Sequence, residues 1–138
     1  MSLPVLILYA DGGARGNPGP AGAGAYLTDG EGRCLGEIQK FLGETTNNVA
    51  EYSALILGLE AAQKHRPKKI RIFMDSQLVI RQLEGEYQVK QPHLKELHQR
   101  ALTLLDAFPE VELKYIPREE NHEADRLANE AMDGGLLP

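Results

Sequence analysis

Three runs of β-forming residues separated by turns fill positions 3–43, and from position 45 onward helical and extended stretches alternate. That order predicts a mixed sheet. Hairpin-linked antiparallel strands come first, and parallel strands are then added through helical crossovers. LPVLILYA (3–10) is continuously apolar, as expected of a strand buried on both faces. DGGARGNPGP (11–20) reads as turn or loop. AGAGAYLT (21–28) is a second strand whose small residues suit the close approach of another backbone. DGEG is a hairpin turn, and RCLGEIQKFLG (33–43) is a third strand at the sheet edge.

The rest of the chain supplies the crossovers. TTNNVAEYSALILGLEAAQKH (45–65) reads as a helix, KIRIFM (69–74) as a strand, and DSQLVIRQLEG as a short helix stopped by Gly85. Leucines at helical spacing mark 93–108, VELKYI (111–116) is a fifth strand, and ENHEADRLANEAMDGG is a last helix ending at Gly134. A chain of 138 residues suggests one domain over 1–138, an α/β fold with one sheet and helices on both faces. With 42% apolar and 25% charged residues it has the composition of a soluble globular protein. The net charge of −5 argues against a general electrostatic nucleic-acid binder but leaves room for a local site. One cysteine, Cys34, excludes an intrachain disulfide and a cysteine metal cluster. The N-terminal apolar run is too short to span a bilayer and lacks a basic flank. No membrane association, a cytoplasmic location and a monomer without an obligate protein partner are therefore expected.

Two acids directly follow strands, Asp11 after 3–10 and Asp75 after 69–74. Sites in open α/β sheets lie at such strand ends. On a wheel of about 100° per residue, Glu60 faces water. Glu51 instead falls in the apolar stripe, between Leu55, Leu59 and Ala62 on one flank and Ala54 and Ala61 on the other. Asp125 occupies the early turns of the last helix. Singly, each acid has a structural reading. Asp11 suits a turn, Glu51 a capping box with Asn48, Asp75 an N-cap, and Asp125 the positive end of a helix dipole. Together they imply clustered carboxylates, which repel and protonate unless a metal neutralises them. Hard oxygen ligands select magnesium or manganese. Four carboxylates suit two such ions roughly 4 Å apart, the layout for in-line phosphoryl transfer.

YADGGARGNPGPAGAGAYL, TTNNVAEYSALILGLEAA, MDSQLVI and NHEADRLAN resemble, in order, the successive signatures of type 1 ribonuclease H. The resemblance covers nearly the whole chain. It implies a ribonuclease H-like five-stranded mixed sheet in the order 3-2-1-4-5, with helices on both faces. It also implies a metal-dependent endonuclease that cuts the RNA strand of RNA–DNA hybrids with two Mg2+ ions, Mn2+ being an alternative, and leaves 5′-phosphate and 3′-hydroxyl ends. The family's four catalytic and metal-binding carboxylates fall on Asp11, Glu51, Asp75 and Asp125. Its substrate contacts fall on Asn17, Asn47, Asn48 and Gln77, which would read 2′-hydroxyls, and on Thr46 with Asn48, which would grip a DNA phosphate. Rival readings are a non-cleaving hybrid-binding module and a related nuclease that also cuts double-stranded RNA.

The chain departs from the family pattern in two places. Position 118 is arginine where the best-studied members carry a loop histidine that assists product release, and Arg118 suits the same step by holding a phosphate. Its structural alternative is pairing with Glu119 or Glu120. His122 is out of register for that histidine, and a proton shuttle there is the weaker expectation. The segment EGEYQVKQPH replaces a basic, tryptophan-rich protrusion, and the chain has no tryptophan. Weaker, more salt-sensitive substrate binding is the expected consequence.

Overall fold

The computed structural model describes residues 3–136. Its elements are β1 (Val5–Ala14), β2 (Gly19–Asp29), β3 (Cys34–Thr45), α1 (Asn47–Gln63), β4 (Lys69–Met74), α2 (Gln77–Leu83), α3 (Pro92–Leu105), β5 (Glu110–Tyr115), a 3₁₀ turn (Arg118–Glu120) and α4 (His122–Leu136). The strands form one sheet in the order β3-β2-β1-β4-β5. β1, β2 and β3 pair antiparallel, while β4 and β5 are added in parallel.

β1 differs from the sequence expectation in two ways. Burial alternates along it, with Leu6, Leu8 and Ala10 fully buried and Val5, Ile7 and Tyr9 half-buried, so one face is closed and the other only partly covered there. The strand also does not stop at Ala10. It runs through Asp11, Gly12, Gly13 and Ala14, paired with Gly24, Ala23, Gly22 and Ala21 of β2. Glycines weaken a strand signal, yet here β2 supplies the ladder. On the other side β1 loses its neighbour sooner, since pairing with β4 ends at Ala10 and Met74. The result is a notch beside Asp11, with Asp75 at its far edge.

Helices cover both faces, and glycines let them approach. Leu8 packs against Gly58 of α1, where an added Cβ would lie 2.9 Å from one Leu8 methyl and closer still to the other. Gly24, the partner of Asp11, lies under α4, where a Cβ would sit 2.6 Å from the Ala128 nitrogen and 2.7 Å from the Leu127 Cβ. Positions 8 and 11 have opposite parity on one strand, so α1 and α4 lie on opposite faces. α3 packs on α1. Tyr52, Leu55 and Leu59 of α1 are fully buried with Ile70, Ile72 and Met74 of β4 in one core. The stripe expected around Glu51 is therefore the core face.

Helix ends also correct the expected caps. Thr46 caps α1, accepting from the Val49 N–H at 3.3 Å, so Glu51 is not part of a capping box with Asn48. Ser76 caps α2 and accepts from the Val79 N–H at 3.3 Å, which frees Asp75 from that duty. α4 continues through Gly134 and Gly135 to Leu136. Gly85 follows α2 with φ 82°, as its stop role requires.

Gly24→Ala is expected to lower stability by about 1–3 kcal/mol, the usual cost of overpacking. Urea unfolding checks it, with a reduced midpoint and unchanged slope.

Candidate active site

The notch is the floor of an open cavity of about 460 Å³. Asp11, Glu51, Asp75 and Asp125 all line it, with Gly12, Asn47 and Arg118 among their neighbours. Each acid arrives on a different element. Asp11 is carried by β1, where the ladder to β4 has ended. Asp75 follows the last residue of β4. Glu51 comes from α1 on the far face, and Gly12 makes this approach feasible. A Cβ there would run into the Ala50 carbonyl and lie 2.6 Å from the Glu51 nitrogen. Asp125 comes from α4 on the opposite face.

α4 is pinned to β1 by Asn121, the residue directly before the helix. Asn121 is 1% exposed, and its side-chain N–H donates to the Ala10 carbonyl at 3.0 Å. Its backbone carbonyl accepts the Asp125 N–H at 3.1 Å. Through side chain and backbone together, one buried residue ties the last core residue of β1 to the turn that presents Asp125.

Asp11, Glu51 and Asp75 each offer a carboxylate oxygen, and these atoms lie within 4.8 Å of one another. Asp125 stands outside this group of three but close enough to raise the Asp11 pKa. Burial, then the charges of Asp75 and Asp125, push Asp11 up to about 8. Burial and the charges of Asp11 and Asp75 drive Glu51 well above the usual carboxylate range, opposed by the Gly12 N–H. Burial raises Asp75 too, while a hydrogen bond from Asp11 and the Arg118 guanidinium work against it. Asp11, Glu51 and Asp75 therefore all hold protons more tightly than free carboxylates do.

The donor set fits a divalent cation. One Glu51 oxygen, Oε2, is buried without a hydrogen-bond partner. Three hard oxygen donors converge, and the Gly12 N–H at Glu51 and the Arg118 guanidinium at Asp75 offset their repulsion only in part. Asp11, Glu51 and Asp75 are the residues able to hold such an ion together.

The other expected residues divide into those near the cavity and those apart from it. Asn47 lines it. Its side-chain oxygen accepts the Ala14 N–H at 2.8 Å, and its backbone N–H donates to the Asn17 side chain at 3.1 Å. These bonds clamp the exposed β1–β2 turn to the start of α1. Arg118 lines the cavity and reaches Asp125 at 3.5 Å, rather than Glu119 or Glu120. Thr46 and Asn48 flank Asn47 and are half-buried. Gln77 is exposed on the first turn of α2, in a separate groove with Arg81 and Tyr115. His122 also lies apart, in a groove with Tyr9 and Tyr26, which removes it as a shuttle for this cavity. Arg15 and Asn129 line the carboxylate cavity without having been foreseen. Among the described residues, no helix is long and apolar enough to cross a membrane.

Comparison with known proteins bears on this geometry. A family model described as reverse transcriptase-like matches residues 9–131. Ribonuclease HI of Halobacterium salinarum is 45% identical over 91% of this chain and 63% of its own length. The solved LC11-RNase H1, in complex with RNA/DNA hybrid, is 47% identical with a TM-score of 0.90, covering 96% of this chain and 99% of that one. The chain belongs to the type 1 ribonuclease H family. The bifunctional protein Rv2228c of Mycobacterium tuberculosis, 45% identical over 93% of this chain, places the ribonuclease H unit in a longer protein. This chain spans only 35% of that relative's length.

The raised Asp11 pKa sets a pH dependence for the ribonuclease H unit. The unfolded chain releases this proton near 3.8, whereas the folded protein holds it to about 8. The native state binds more protons in that window, so without metal its stability falls as pH rises from about 4 to about 8. Thermal melts in chelator should show that decline, and Asp11→Asn should make it shallower, with Glu51 and Asp75 supplying the remainder. Mg2+ or Mn2+ should raise the melting temperature more at pH 8 than at pH 5.

Proposed function

We propose that this chain is a metal-dependent endoribonuclease that hydrolyses the RNA strand of RNA–DNA hybrids, leaving 5′-phosphate and 3′-hydroxyl ends. The observation that carries this reading is the convergence of Asp11, Glu51, Asp75 and Asp125, from both faces of the sheet, on one open cavity. A pure binding module has no use for four acids facing a polyanion. The LC11 relative was solved with an RNA/DNA hybrid, and its near-complete overlap with this chain supports the same substrate class.

Two Mg2+ ions held by the four carboxylates, with Mn2+ as a substitute, would supply an activated water and a stabilised leaving oxygen. The chain's own residues do the rest. Asp11, most central of the four, bridges toward both Asp75 and Asp125. Releasing its proton gives the cluster its full negative charge. Glu51, half-buried and with its buried Oε2 short of a partner, stays directed at the cavity because Gly12 admits α1 so closely. Asp125 is presented by the Asn121 clamp and shared with Arg118. Arg118, 77% exposed, is free to swing from Asp125 to a phosphate as product leaves.

Asn47, which lines the cavity, and Asn17, bonded to it, would read 2′-hydroxyls of the RNA strand, since an amide both donates to and accepts from a hydroxyl. Gln77 and Asn48 would meet the duplex farther from the acids. Thr46, already accepting the Val49 N–H, retains its hydroxyl proton for a phosphate of the DNA strand.

Incubation with a labelled hybrid, a DNA duplex and an RNA duplex, in Mg2+ and in chelator, tests the reading. Cleavage of the hybrid's RNA strand in Mg2+ alone is expected, and Asp11→Asn should reduce it at least about 10³-fold, as expected when metal-held chemistry is lost. Cleavage of the RNA duplex at equal rate would select the broader nuclease, and cleavage of nothing in either metal would remove the enzymatic reading.

A further inference from the structure

We propose that Arg15, at the turn between β1 and β2, binds a phosphate flanking the one at the carboxylates, and that Asp133 holds its guanidinium ready by standing in for that phosphate. The proposal deepens the hybrid-cleaving reading above and rests on it. The cavity's cationic lining residues are Arg15 and Arg118. They meet α4 about two turns apart, Arg118 at Asp125 near its start and Arg15 at Asn129 and Asp133 farther along. A polyanion crossing four acids needs cations on both approaches, because metal offsets charge only at the centre.

The two arginines are held differently. Arg118 pairs with Asp125, itself an acid of the site. Arg15 pairs with Asp133 at 2.7 Å and bonds the Asn129 side chain at 3.4 Å. Asp133 does not line the cavity. Arg15 can therefore exchange its partner without uncovering a site carboxylate. Both side chains of the pair are well exposed, 40% and 65%, and such a pair contributes little stability in water. A planar guanidinium matches a phosphate bidentately, and a phosphate arriving with the rest of the substrate is a stronger competitor than one solvated carboxylate.

The backbone under Arg15 is rigid. Its N–H donates to the Pro20 carbonyl at 2.8 Å, and the preceding Ala14 is clamped by Asn47. The side chain alone needs to move. The competing interpretation is a structural tie between the β1–β2 turn and α4. It predicts that removing either partner of the ion pair has the same effect.

Steady-state cleavage of a labelled hybrid at several salt concentrations, together with thermal melts, separates the two for Arg15→Ala, Arg15→Lys and Asp133→Asn. Arg15→Ala should raise KM about fivefold to twentyfold, keep kcat within about twofold and lower the slope of log KM against log salt by about one. Arg15→Lys should keep the salt slope and recover part of the KM. Asp133→Asn should leave KM unchanged or lower it, with a melting temperature equal to that of Arg15→Ala. Equal KM increases in Arg15→Ala and Asp133→Asn, or an unmoved KM in Arg15→Ala, would overturn the proposal while leaving the hybrid reading intact. A parent protein that cleaves no hybrid would overturn that reading and this proposal with it.

Discussion

Carboxylates that repel one another are held together here by packing that has nothing to do with their charge. β4 ends its pairing with β1 at Met74, one residue before Asp75 and opposite the residue before Asp11. Two acids are thereby delivered to neighbouring strand positions with no ladder between them. α1 and α4, driven by apolar burial on opposite faces, bring Glu51 and Asp125 over the same rim. The core dictates the convergence, and the electrostatic cost is carried by raised proton affinities at Asp11, Glu51 and Asp75. A site strained in this way has a ready sink for divalent cations.

The small residues are what make the arrangement geometrically feasible. Gly12 admits the first turns of α1, and Gly22 and Gly24 admit α4, each at distances where a Cβ would collide with backbone. The same residues extend β1 past its apolar run, so the site is built on a paired strand rather than a free loop. Asn121 then fixes the angle at which α4 leaves the sheet. With Asn47 tying the β1–β2 turn to α1, nearly every cavity wall is braced by a neighbour on another element. Binding sites on such supports hold their geometry before the ligand arrives.

The acids were legible in the sequence because their positions are set by period. Asp75 and Asp11 follow apolar runs, and Glu51 breaks an apolar stripe that the fold does bury. The sheet order came from the resemblance to a known family, and the observed order agrees with it. Features decided by tertiary contact were not legible. Gly12 and Gly13 look like loop residues until β2 supplies their partners. Thr46 and Ser76 took the cap roles that local pattern offered to Asn48 and Asp75, because hydroxyls one or two residues away meet the first free N–H groups. Asn121 lies before a helix like any surface asparagine, and only the approach of β1 buries it. Arg15 sits in a turn motif where arginine carries no periodic signal, and its place in the cavity follows from the extension of β1. Gln77 and His122, two and three residues from an acid, line other grooves.

Anomalous diffraction from crystals grown with Mn2+ and an uncleavable hybrid tests the central claim most directly. Two manganese peaks roughly 4 Å apart, both ligated by Asp11 and otherwise by Glu51, Asp75 and Asp125, are the predicted result. Manganese bound elsewhere, with Asp11 and Glu51 unligated in the presence of the hybrid, would contradict it.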